Sequence, residues 1–151
     1  MKHASNLSSR ARICIVGSRA LGKIPRLLLT QMTLLFPSHA TVLLRHPLHS
    51  DPEPFEQMVA LACDHLKMDV EWCQPEPGGR QSVYFRDVDM VGKSDLVLAW
   101  FADDQMTGGT EHVVEKAIDQ RVPVYSYGIR DEKLVLLGSM DIDHQFGEFT
   151  I

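Results

Sequence analysis

Apolar residues gather in five short runs along the chain: 12–17 (RICIVG), 41–45 (TVLLR), 69–73 (DVEWC), 95–101 (DLVLAWF) and 122–128 (VPVYSYG). Most of these runs are near-continuous rather than alternating. That pattern predicts strands buried on both faces, as in a parallel sheet covered by helices. Four segments between them carry helical spacing. Residues 24–36 set Leu27, Leu28, Met32, Leu34 and Leu35 at helix-compatible intervals, with Pro25 in the first turn and Pro37 ending the segment. Residues 51–68 place Phe55, Met58, Val59, Ala62 and Leu66 on one stripe behind an acidic start that suits the helix dipole. Residues 81–94 offer Val83, Phe85, Val88 and Val91 with Met90 alongside. Residues 110–120 offer Val113, Val114, Ala117 and Ile118, with Thr110 as the N-cap.

The alternation of strand and helix predicts an α/β sandwich of mainly parallel strands joined by right-handed crossovers. Five strands are expected, and the run 134–138 (LVLLG) offers a sixth, covering a sheet edge or packing on a second subunit. Residues 11–130 read as one domain, 1–10 as a disordered tail and 131–151 as an extension that packs on the domain or on a second copy. In such sheets ligands sit beyond the carboxyl ends of the strands, at the point where strand order reverses. The loops after strands one, two and four are therefore the ones to examine.

Composition narrows the partners. Net charge is -5, which argues against nucleic acid. No apolar run approaches the length of a membrane span, and residues 1–10 lack the apolar centre of a signal peptide. The cysteines, Cys14, Cys63 and Cys73, form no C-x-x-C pair and are odd in number, which fits a reducing, cytoplasmic setting.

After the first run comes GSRALGKI (17–24), a glycine and a Gly-Lys at the spacing of a P-loop. The magnesium-binding hydroxyl is replaced by Ile24, and Pro25 removes an amide from the phosphate cradle. The apolar strand ending in Asp103 and Asp104 resembles a Walker B strand, but such runs are common in α/β proteins. A simpler reading is a phosphate-facing turn made by Gly17, Ser18 and Arg19; its alternative is a plain strand-to-helix turn with solvated cations. TGGTEH (107–112) is the second such turn. Gly108 and Gly109 admit close backbone approach, Thr110 opens a helix whose start favours phosphate, and His112 is placed to meet phosphate or ribose. Arg86, on an otherwise largely apolar helix, is a candidate bidentate phosphate partner. In RHPLHSD (45–51), His46, His49 and Asp51 read as a ligand-contacting loop rather than a metal site. Trp72 and Trp100 read as core; Tyr84 and Phe85 read as base-pocket or core residues.

IVGSR at the start, R-x-x-x-M followed by SDLVLAW, and GGTEH downstream resemble the SLOG superfamily of Rossmann-like nucleotide-binding proteins. Within it the chain is most similar to the small YspA-like or DUF2493 group of bacteria and phages. The resemblance spans residues 12–128. It implies a Rossmann-like three-layer sandwich, a homodimer and a nucleotide or nucleotide-derived ligand; no cofactor and no metal are expected. The superfamily also includes the lonely-guy phosphoribohydrolases, which split the N-glycosidic bond of nucleoside monophosphates, and the DprA-like proteins. By that resemblance Arg86 matches the hydrolase's catalytic arginine, and Gly108, Gly109 and Thr110 match its phosphate-binding motif. The hydrolase's acid, three residues after the threonine, is Val113 here. Glu111 is the available substitute, although it faces differently on the helix. The glycine-rich segment that follows strand two in the DUF2493 group is replaced by RHPLHSDPEP (45–54), with Asp51 as a stand-in acid. Hydrolysis needs a placed carboxylate, so the expectation is binding of a nucleotide for sensing, sequestration or delivery. The alternatives are a nucleoside 5′-monophosphate N-glycosidase using Arg86 and Glu111, and a protein-interaction module without a ligand.

Overall fold

The computed structural model describes residues 11–21, 40–102, 106, 108–130 and 133–140. Strand β1 (Arg12–Gly17) runs through the middle of a six-stranded sheet. Its neighbours are β2 (Thr41–Arg45), with β3 (Asp69–Cys73) beyond it, and β4 (Leu96–Phe101) on the other side. β5 (Val124–Arg130) and β6 (Lys133–Met140) complete the order β3-β2-β1-β4-β5-β6. The first five strands are parallel, and β6 pairs antiparallel with β5. The run 134–138 therefore covers the edge of β5 as a sixth strand, which satisfies backbone groups that an open edge would expose.

Among the described residues three α-helices connect successive parallel strands: α1 (Pro54–His65), α2 (Arg80–Gly92) and α3 (Gly109–Asp119). The helix expected over 24–36, the tail 1–10, Asp103, Asp104, Thr107 and residues 141–151 lie outside the described residues. Alternate residues of β1 point to opposite faces of the sheet. Ile13 and Ile15 join Phe55, Val59 and Cys63 of α1 in one core. Cys14 and Val16 join Met90 and Val91 of α2 and Val113, Val114 and Ala117 of α3 in the other. Both faces of the central strands are covered, which is why their sequences are continuous rather than alternating. No helix among the described residues is long and apolar enough to cross a membrane.

Several expectations about packing are corrected. On α2 the buried residues are Asp87, Met90 and Val91, whereas Val83 and Phe85 are exposed, Phe85 at 60%. The inner face of this helix begins on polar residues because it starts at the open end of the sheet, above the core. Trp100 is fully buried in β4, but Trp72 is 39% exposed because β3 is the sheet edge. Ile118 is exposed near the end of α3, and Thr110 is a buried residue within the helix rather than its cap. On α1 the surprise is Glu56, which is 2% exposed beside Phe55.

Candidate functional site

A cleft of about 990 Å³ opens at the carboxyl ends of the parallel strands. It lies where strand order reverses, because the chain leaves β1 for β2 on one side and enters β4 on the other. Gly17, Ser18, Arg19, Arg86, Gly108, Gly109 and Thr110 all line it. Residues about ninety positions apart are thus brought to one mouth by the pairing of β1 with β4, in which Gly17 lies opposite Trp100. Neither Glu111 nor His112 is on the wall. His112 turns toward α2 instead, with Nδ1 3.3 Å from Asp87 Oδ2 and its ring 4.7 Å from that of Tyr84.

The first turn works differently from its sequence reading. The Ser18 N–H donates to the Trp100 carbonyl at 2.9 Å, so this amide is used within the sheet. Gly17 is needed for space: a Cβ built there falls 2.2 Å from a carbon of the Phe55 ring. Its carbonyl accepts a 2.8 Å hydrogen bond from Arg45 Nη2. Arg19 extends from a single 3-10 turn (Arg19–Leu21) to Glu53, Nε to Oε1 at 3.4 Å, and is largely exposed.

Two helices begin on the cleft, each preceded by a glycine in a conformation closed to L side chains. Gly79 before α2 has φ 81° and ψ -149°; Gly108 before α3 has φ 83° and ψ -157°. Neither helix has a side-chain cap bond. The first amides of an α-helix lack internal acceptors and carry the positive end of its dipole. Helix α3 has Glu111 in its first turn, but α2 has no acid there and begins instead with Arg80. A cation in that position opposes the dipole unless an anion is bound. The doubled glycine of PEPGGR (75–80) was a legible signal, since it sets two glycines at a helix start as Gly108 and Gly109 do. Its importance became visible only when both helix starts met at one cleft.

Two ion pairs, each joining a partly buried arginine to a buried carboxylate, line the cleft. Arg86, 9% exposed at its side chain, donates from Nε to Asp87 Oδ1 at 2.8 Å. Its Nη1 also reaches the carbonyls of His46 (3.4 Å) and Cys73 (3.5 Å). These bonds lock the guanidinium to α2 and the ends of β2 and β3. Arg45, which the sequence did not single out, leaves the end of β2 and places Nη2 3.3 Å from Glu56 Oε1. Its Nη1 lies 3.8 Å from the position of a Cβ on Gly109, at the start of α3. Burial pushes the Glu56 carboxyl above its ordinary range, against the opposing pull of Arg45. Arg80 is exposed on the wall, and among the described residues no carboxylate pairs with it.

His49 lines the cleft, as its loop position suggested, whereas His46 Nδ1 lies 2.6 Å from the Pro47 carbonyl and its ring meets Trp72 edge-on. Among the described residues no three His, Cys, Asp or Glu side chains are grouped to hold a metal ion. The cleft therefore combines uncapped helix starts, four arginines and the two buried carboxylates of Glu56 and Asp87. No family model matches the chain, and no curated protein matches it either.

Proposed function

We propose that this protein binds a nucleotide or nucleotide-derived molecule in the cleft, with its phosphate at the glycine-preceded starts of α2 and α3. The observation that carries this reading is the pair of uncapped helix starts, with Gly79 and Gly108 in matching conformations, facing the same cleft. Arg80 supplies an accessible cation at one start, and Arg45 lies beside Gly109 at the other. Arg86 acts from below, fixing the ends of β2 and β3 rather than swinging out to clamp the ligand. The helices on both faces of the sheet support a Rossmann-like three-layer frame, and the SLOG-like motifs of residues 12–128 agree with such a ligand. Binding is favoured over N-glycosidic hydrolysis because Glu111, the substitute acid, is off the cleft wall.

Calorimetry with inorganic phosphate, nucleoside mono- and diphosphates and ADP-ribose tests this. At least one phosphorylated compound is expected to bind, and Arg80→Glu is expected to weaken it by about tenfold, the worth of one charge-assisted contact. Failure of every phosphorylated compound to bind would reject the reading.

A further inference from the structure

We propose that Glu56 selects a hydroxyl-bearing ligand in this cleft: its Oε2 accepts a hydrogen bond from a sugar hydroxyl while Oε1 remains on Arg45. This rests on the phosphate-binding reading and supplies the other end of the ligand. Glu56 stands in the first turn of α1, lines the cleft and is 2% exposed. Oε1 is held by Arg45 Nη2, whereas Oε2 is buried and, apart from the residue's own backbone amide, has no hydrogen-bond partner among the described residues. A buried carboxylate oxygen left unsatisfied is costly, and its retention calls for a donor from outside the protein. The other buried carboxylate of the cleft, Asp87, has both oxygens engaged, by Arg86 and His112.

The identity of the donor follows from charge. Arg45 already places a guanidinium against this carboxylate, so a second cation at Oε2 would be repelled by it. A phosphate would be repelled by Glu56 itself. A neutral hydroxyl meets neither penalty. Arg45 also anchors to the Gly17 carbonyl at 2.8 Å, which fixes the direction from which Glu56 is approached. The ligand is thereby oriented, phosphate toward the helix starts and sugar toward α1. Burial raises the Glu56 pKa against the lowering pull of Arg45 and of the residue's own backbone amide, and a hydroxyl donating to Oε2 would lower it further.

The test compares the four ribonucleoside 5′-monophosphates with their 2′,3′-dideoxy counterparts, and with inorganic phosphate, by calorimetry. The wild type is expected to prefer the ribo form by about tenfold or more, as a site with a buried acceptor rejects a ligand lacking the donor. Glu56→Gln keeps an oxygen for Arg45 and replaces the free acceptor by an N–H donor. It is expected to abolish the preference; because it also removes a negative charge beside Arg45, inorganic phosphate is expected to bind at least as tightly as to the wild type. Glu56→Asp keeps the charge, shortens the reach and is expected to give the same loss, providing a readout if the amide variant does not fold. A wild-type preference that is absent, or that survives in both variants, overturns this role alone. A wild type that binds neither phosphate nor any nucleotide overturns the phosphate reading and this role with it.

Discussion

Gly79 and Gly108 hold the same backbone conformation, with φ 81° and 83° and ψ -149° and -157°, and each immediately precedes a helix that opens on the cleft. A Cβ built on either residue meets nothing within 4 Å. Any penalty for a side chain there lies in the backbone and not in packing. Gly79→Ala and Gly108→Ala should each cost about 1–3 kcal/mol, the usual penalty for forcing an L residue into this region. Urea unfolding midpoints check it, and two neutral substitutions would show that these helix starts relax freely.

Gly17 presents the opposite case. Its Cβ would sit 2.2 Å from the Phe55 ring, which belongs to the core formed by α1 and the sheet. Gly17→Ala should therefore destabilise by about 1–3 kcal/mol through overpacking. Trimming the ring in a Gly17→Ala, Phe55→Leu double variant should recover part of that loss, because contacting residues do not contribute additively. Additive costs in the double-mutant cycle would contradict the steric explanation.

Glu56 should make stability depend on pH in a defined direction. Its folded pKa is raised from the ordinary 4.5 by burial. The folded state then holds this proton more tightly than the unfolded state, so the group's contribution is fully present below pH 4.5 and is lost as pH rises through the folded pKa. Glu56→Gln carries no such proton. The stability of Glu56→Gln relative to wild type should therefore rise as pH increases from the ordinary glutamate value, and level off above the folded pKa. Chemical denaturation of both proteins across that range measures the difference; a constant difference would mean that the carboxyl is effectively solvated.

Thiol reactivity should be ordered by burial. Cys14 is fully buried in β1 and its thiol is pushed far up; Cys63 is pushed up to about 12; Cys73, at the end of the edge strand, is raised but only half-buried. The thiolate is the reactive form. Ellman's reagent at mildly alkaline pH should modify Cys73 slowly, Cys14 and Cys63 only on unfolding, and all three rapidly in guanidinium chloride. Immediate labelling of Cys14 in the native protein would contradict its place in the sheet.

Hydrophobic order along the chain was enough to place the strands. Near-continuous apolar runs such as RICIVG and LVLAWF are what strands covered on both faces require, and these became β1 and β4. The same local information marked Gly17 and the Gly-Gly of 108–109, because a glycine at the end of a strand or the start of a helix is a strong signal by itself. It misjudged the stripe on α2, where Val83 and Phe85 are outside and Asp87 is inside. Helical periodicity identifies a face only when that face is apolar throughout, and here the inner face ends at a polar cleft.

What the sequence alone determined is thus the α/β alternation, the strands and the glycine turns, all of which depend on residues close together in the chain. The tertiary structure decided which of those turns share a cleft and which charges line it. Arg45 and Glu56 meet because β2 lies beside β1 and α1 packs back over both, and Gly79 and Gly108 line one cleft because α2 and α3 cover the same face. Pairings of this kind depend on strand order and crossover, which no local pattern of residues encodes. For the same reason Glu111 and His112, adjacent to the glycine turn in sequence, fall outside the cleft wall that Arg45 and Glu56 help to build.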